Sequence, residues 1–157
     1  MAAWFAHRPW LALVGFIALC EAAGLAGTAF TMSAIPEWYA FLDKPAFSPP
    51  NWLFGPVWTL LYFMMGVAAW LVWRRAGAGA LKVFWLQLAL NALWTPLFFG
   101  LRSPLAGLVC IAALWLAIVW TMVVFWRVSR PAAALLLPYL AWVSFASMLN
   151  LGIYLLN

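Results

Sequence analysis

A chain of 157 residues that is 69% hydrophobic and 7% charged is not a soluble globular domain, because eight Lys and Arg with three Asp and Glu cannot cover a folded surface with charge. Its mean hydropathy of +1.05 marks an integral membrane protein. The formal net charge of +5 is scattered between apolar runs, with no basic stripe on a polar segment, which argues against nucleic-acid binding.

The first apolar run extends from Pro9 to Met32. Arg8 before it and the small residues from Ala22 to Gly27 also fit a secretory signal peptide, the competing reading of this stretch. Small residues four apart (Ala18, Ala22, Ala26, and Ala23 with Gly27) let another helix approach closely, within the bundle or in a homodimer. Glu21 is the one acidic residue inside a span; a carboxylate there is costly, which suggests a proton-handling or packing role. Cys20 in this run and Cys110 in the fourth both lie within spans, which argues against a structural disulfide.

The one long connection, Ser33 to Pro50, reads SAIPEWYAFLDKPAFSPP. Trp38, Tyr39, Phe41, Leu42 and Phe47 can pack onto helix ends while Pro45, Pro49 and Pro50 stiffen the return, the character of an ordered lid. The plainer reading puts Trp38 and Tyr39 in an interfacial aromatic belt.

Four further runs follow: Asn51 to Trp73, Ala80 to Leu101, Pro104 to Trp126 and Pro131 to Leu156. At about 1.5 Å per residue each crosses a hydrocarbon core of roughly 30 Å. Pro9, Pro49 with Pro50, Pro104 and Pro131 suit first turns, where no helical bond is lost. Pro56, Pro96 and Pro138 fall inside runs and predict kinks in helices two, three and five. The expected fold is an all-α membrane protein: one domain over residues 1–157, a five-transmembrane-helix bundle with a long structured loop, 33–50, between helices one and two.

Five spans collect Arg8, Arg74, Arg75, Lys82, Arg127 and Arg130 on one side and Lys44, Arg102, Glu37 and Asp43 on the other. Basic residues are retained in the cytoplasm, so the N-terminus is expected there and the C-terminus outside.

Eleven of the thirteen tryptophans divide by depth. Trp4, Trp10, Trp38, Trp52, Trp73 and Trp126 lie at helix ends or in loops, where an indole reaches the headgroups. Trp58, Trp94, Trp115, Trp120 and Trp142 lie deep, Trp58 and Trp94 about 10 Å from the loop-side ends of their helices. Helical spacing groups Trp58, Tyr62 and Met65 on helix two, Gln87, Asn91, Trp94, Thr95 and Phe98 on helix three, and Trp142, Ala146, Leu149 and Asn150 on helix five. Such stripes often only glue helices together. Three of them converging beneath one aromatic loop also describe a ligand cavity.

Metal and cofactor chemistry finds no support. His7, the only histidine, precedes helix one, so axial haem ligation is not expected. There is no Cys, His and acidic cluster, phosphate-cradling glycine motif or Ser/His/Asp set.

WYAFLDKPAFSPPNWLFGPVWTLLYFMMG, from Trp38 to Gly66, resembles the signature of the tryptophan-rich sensory protein and translocator protein family, also called the peripheral-type benzodiazepine receptor family. QLALNALWTPLFFG from Gln87 and PYLAWVSFASMLN from Pro138 resemble its third and fifth helices, in the same order. The resemblance implies a five-helix bundle, commonly a homodimer, with one cavity closed by the first loop. Its implied ligands are tetrapyrroles such as protoporphyrin IX and haem, cholesterol in some members, and benzodiazepine and isoquinoline-carboxamide drugs. Motif by motif, it places Tyr39, Trp58, Tyr62, Asn91, Trp94, Thr95, Phe98, Trp142, Ala146 and Leu149 around the cavity and Phe54 at its rim.

The chain departs from the family pattern in having Lys44-Pro45-Ala46-Phe47 where Lys-Pro-x-Trp is frequent. The proposed cholesterol motif needs a basic residue after an aromatic, but Tyr154 is followed only by Leu155, Leu156 and Asn157, as in a bacterial-type member. The implied function is a receptor or carrier in a bacterial cell membrane that binds porphyrins as ligands, with a sensory or transport role in tetrapyrrole and oxidative-stress regulation. One alternative is light- and oxygen-dependent porphyrin breakdown using Trp58 and Trp142. Another is a generic small-solute transporter, against which the lack of an internal repeat argues.

Overall fold

The computed structural model describes residues 9–157; Trp4, His7 and Arg8 lie outside the described residues. Among the described residues, five helices are long and apolar enough to cross a membrane: α1 (Pro9–Glu37), α2 (Asn51–Ala76), α3 (Ala78–Gly100), α4 (Pro104–Val128) and α5 (Arg130–Leu156). No strand occurs among the described residues, as expected where the solvent offers the backbone no hydrogen bonds. The fold is an all-α five-helix membrane bundle.

Helix ends are set locally. Ser103 and Ser129 cap α4 and α5, their hydroxyl oxygens accepting from the N–H groups of Ala106 at 3.2 Å and Ala132 at 3.4 Å, each cap contributing about 1 kcal/mol. Gly77, at φ 74°, ends α2 in a conformation that side chains resist.

The internal prolines act differently from one another. Pro56 does not kink α2: a 3₁₀ turn over Asn51–Leu53 leads into the α-helical segment Phe54–Ala76, so Pro56 falls in the first turn, where no partner for its missing N–H is due. Pro96 opens a π-helical turn, Pro96–Gly100, closed by Leu101 N–H donating to the Pro96 carbonyl at 2.9 Å. α5 breaks at Leu136 into Arg130–Leu135 and Leu137–Leu156, and Pro138 begins the longer piece.

α1 also runs further than Met32. Ser33–Glu37 continue it through Pro36, because a proline this close to the end forfeits only its own N–H bond; the Trp38 N–H still reaches the Ala34 carbonyl at 3.0 Å. The connecting loop is therefore 38–50, not 33–50.

The helices form a closed ring in which α1 packs between α2 and α3, α4 between α3 and α5, and the Arg130–Leu135 turns of α5 return to α2. Arg74, Arg75, Arg127 and Arg130 mark one end of the ring, tied together where Arg75 donates to the Val128 carbonyl at 3.3 Å. The loop and Arg102 mark the other, the lid end.

Glycines set how closely α1 approaches. A Cβ on Gly66 of α2 would fall 2.6 Å from Ile17 Cα, one on Gly27 would fall 3.0 Å from the Thr95 hydroxyl, and Gly24 lies directly against the Tyr62 ring. Ile17, Cys20, Ala23, Gly24 and Gly27 of α1 thus face the bundle, whereas Ala18, Ala22 and Ala26 are exposed. Cys20 and Cys110 are free and buried.

Candidate ligand-binding cavity

Between the helices at the lid end lies a cavity of about 410 Å³, within the roughly 300–1,000 Å³ that accepts a drug-sized molecule. Two aromatic walls bound it. On α2, Trp58 stacks on Tyr62 with ring centroids 5.5 Å apart; on α3, Trp94 stacks on Phe98 at 5.0 Å and 17°. Both pairs sit one helical turn apart on a single face, which is why i, i+4 spacing stacks them.

A hydrogen-bonded relay fixes these walls. The Tyr62 hydroxyl donates to Asn91 Oδ1 at 2.5 Å, Asn91 Nδ2 donates to the Tyr139 hydroxyl at 2.7 Å, and that hydroxyl donates to Gln87 Oε1 at 2.8 Å. Gln87 Nε2 ends the chain on the Met65 sulfur at 3.7 Å. The relay ties α2, α3 and α5 together and gives both tyrosine hydroxyls an acceptor in the dry interior. Nearer the lid, Trp94 Nε1 donates to Asn150 Oδ1 at 3.2 Å, and Asn150 Nδ2 donates to the Pro104 carbonyl at 2.8 Å.

The loop closes the lid end by packing. Trp38 meets Phe98 edge-on at 5.5 Å, Tyr39 meets Phe99 at 5.6 Å, and Phe47 meets Phe145 of α5 at 6.1 Å. Trp38 and Tyr39 are thus packed down onto the bundle. Tyr39 is buried, which pushes its phenol above the usual tyrosine range and keeps it neutral through physiological pH. Lys44 lies 4.8 Å over its ring.

Two polar ties add to this packing. Arg102, held at φ 52°, pairs with Glu37 at 2.7 Å. The Asn157 side chain grips Asp43 on both sides, accepting from its N–H at 3.0 Å and donating to its carbonyl at 2.9 Å. Loss of this exposed grip in Asn157→Ala, on the order of 1 kcal/mol, is expected to raise the dissociation rate of a cavity ligand about fivefold and leave the unfolding temperature nearly unchanged. Stopped-flow dissociation measures it; an unchanged rate means the grip does not hold the lid.

The structure brings together ten of the eleven site residues that the sequence singles out: Tyr39, Phe54, Trp58, Tyr62, Asn91, Trp94, Thr95, Phe98, Ala146 and Leu149 all line this cavity. Trp142 does not line it. Its ring fills the seam between α2 and α5, 5.8 Å from Phe54 and 5.4 Å from Phe145, with its indole nitrogen buried and without a hydrogen-bond partner. The two indoles at the walls are therefore Trp58 and Trp94. Of the other deep tryptophans, Trp115 donates to the Ser144 hydroxyl at 2.8 Å and Trp120 is exposed.

Sequence reasoning missed the wall that α1 supplies: Glu21, Gly24, Leu25, Thr28, Thr31 and Ile35 face the cavity. The signal was present as i, i+3, i+4 and i+7 steps from Glu21. It also missed Tyr139, the buried centre of the relay. No group of three or more metal-ligating side chains occurs among the described residues.

Comparison with known proteins agrees with this architecture. The chain is 51% identical to the tryptophan-rich protein TspO of Archaeoglobus fulgidus over 94% of its length and 97% of the relative's. It is 50% identical to the protein of the same name from Chlorobaculum tepidum, over 94% and 96%. A tryptophan-rich sensory protein from Cereibacter sphaeroides is 38% identical over 96% and 94%. The TspO/MBR family matches residues 16–156, nearly the whole chain. With five membrane-crossing helices and relatives this similar over their full length, the chain belongs to the TspO/MBR family of membrane receptor and sensor proteins.

Proposed function

We propose that this protein binds tetrapyrroles such as protoporphyrin IX and haem, and drugs of the benzodiazepine and isoquinoline-carboxamide type, in the lid-end cavity, and that it senses or carries them in tetrapyrrole and oxidative-stress regulation. The observation that carries the reading is the pair of aromatic walls, Trp58 on Tyr62 and Trp94 on Phe98, facing one space beneath an ordered lid. A flat, mostly apolar macrocycle gains from stacking on such rings. Its carboxylates turn toward the lid, where Lys44 lies, and away from Glu21 at the far end. A porphyrin is a ligand here, with no axial ligand from the protein.

The same reading sets the protein in a bacterial cell membrane with its N-terminus in the cytoplasm, on the strength of the arginines gathered at one end of the bundle. It acts as a homodimer, for which the exposed small-residue face of α1 at Ala18, Ala22 and Ala26 is suited.

Quenching of intrinsic tryptophan fluorescence by protoporphyrin IX in nanodiscs tests the site. Saturable quenching is expected for the wild-type protein. Trp58→Leu weakens it about tenfold, the scale of one aromatic contact with its buried area, and Trp142→Leu leaves the affinity within about twofold. Absence of saturation, or sensitivity to Trp142 without sensitivity to Trp58, overturns the assignment.

A further inference from the structure

Glu21 stands at the closed end of the cavity, where α1 and α2 converge. Gly24 lies against the Tyr62 ring and Gly66 against the Ile17 backbone, so the helices touch there and diverge toward the lid. The carboxylate is half-buried near the middle of α1, and no hydrogen-bond or ion-pair partner for it exists among the described residues. An unpartnered carboxylate at that depth is costly.

Hydroxyl groups that line the cavity with it have their protons committed elsewhere. Thr28 donates its hydroxyl proton to the Leu25 carbonyl at 2.7 Å, Thr31 to Thr28 at 3.1 Å, Thr59 to Gly55 at 3.0 Å, and Tyr62 to Asn91 at 2.5 Å. With those protons committed, the oxygens turn only lone pairs toward the cavity. These hydroxyl oxygens thus add acceptors to the one carboxyl group that lines the cavity among the described residues, which repels an anionic head and fits a donor cation.

Access is lateral as well. Leu25, Thr28, Gly55 and Thr59 line the cavity and are also exposed, so it opens between α1 and α2 toward the surrounding lipid. An amphiphile dissolved in the bilayer reaches Glu21 without passing the lid.

We propose that Glu21 makes this cavity a site for apolar molecules bearing a protonated amine, the ammonium pairing with the carboxylate while the body lies along the Trp58 wall. A compact ammonium supplies three donors, and an ionised carboxylate only accepts. The proposal rests on the cavity being a ligand site, and adds a second ligand class, opposite in charge to a porphyrin's carboxylates.

Three probes with one body separate the outcomes: 1-pyrenebutylamine, 1-pyrenebutanol and 1-pyrenebutyric acid, read by energy transfer from tryptophan in phosphatidylcholine nanodiscs. The wild-type protein is expected to bind the amine about tenfold more tightly than the alcohol, and the acid least. Glu21→Gln abolishes the preference for the amine over the alcohol, and Glu21→Asp retains it. Alcohol binding without an amine preference in the wild type overturns the proposal, as does a preference that survives in Glu21→Gln. If Glu21→Gln does not fold, the wild-type order of the three probes decides. Failure of all three to saturate would instead remove the cavity as a ligand site, and loss of protoporphyrin binding alone would remove only the tetrapyrrole reading.

Discussion

Replacing Asn91 by Leu is expected to destabilise the bundle by about 2–4 kcal/mol, which is large against the marginal stability of most folds. Asn91 is the one residue that both accepts from Tyr62 and donates to Tyr139. Leu matches its bulk but leaves the Tyr62 hydroxyl without an acceptor and strips Tyr139 of a donor, in positions only 8% and 1% exposed. Hydrogen bonds between membrane helices contribute modestly, about 0.6–2 kcal/mol each; most of the loss comes from the buried hydroxyl left unpaired. Unfolding of the purified protein in detergent measures the change, with Asn91→Asp as a control that keeps the acceptor for Tyr62. A loss below about 1 kcal/mol would mean that the relay does not hold the walls in place.

Gly66→Val is the second large effect, and its cause is steric. The new side chain would enter the Ile17 backbone, with Cβ 2.6 Å from Cα and 2.8 Å from the amide nitrogen. Backbone cannot rotate aside as a side chain can, so α1 must shift outward. Overpacking of this kind costs about 1–3 kcal/mol, and displacing α1 also moves the wall formed by Gly24 and Thr28, so ligand affinity falls with stability. Gly15→Ala is the matched control: nothing lies within 4 Å of its Cβ position, and in a helix interior the change is expected to stabilise by about 0.5–1 kcal/mol. Equal behaviour of the two variants would show that α1 and α2 are not in close contact at Gly66.

Much of the fold is legible in the sequence because the relevant signals are periodic. Long apolar runs with prolines at their starts locate five helices, and the stripes on helices two and three turn Trp58 with Tyr62 and Trp94 with Phe98 to one side. Two features escape for definite reasons. On α1, small residues recur every four positions on two faces at once, Ala18, Ala22 and Ala26 on one and Ala23 with Gly27 on the other. Spacing says that a helix has a small face but not which face its neighbours take. Trp142 shares a helical face with Leu149, yet its ring turns into the seam beside Phe54 and Phe145, a choice made by rotamer and packing rather than by register. Prolines depend on their distance from a helix end: Pro56, within an apolar run, and Pro36, in the stretch expected to be loop, both lie close enough to helix ends to leave the axis intact, whereas Pro96 and Pro138 mark a π-turn and a break.

One cavity with two aromatic walls is what the proposed function requires. An experimental structure of the protein with protoporphyrin IX bound in nanodiscs tests it most directly. The macrocycle is predicted between the Trp58–Tyr62 and Trp94–Phe98 pairs, its carboxylates toward Lys44 and its opposite edge toward Glu21. A macrocycle bound on the lipid-facing surface, or in the seam at Trp142, would contradict it.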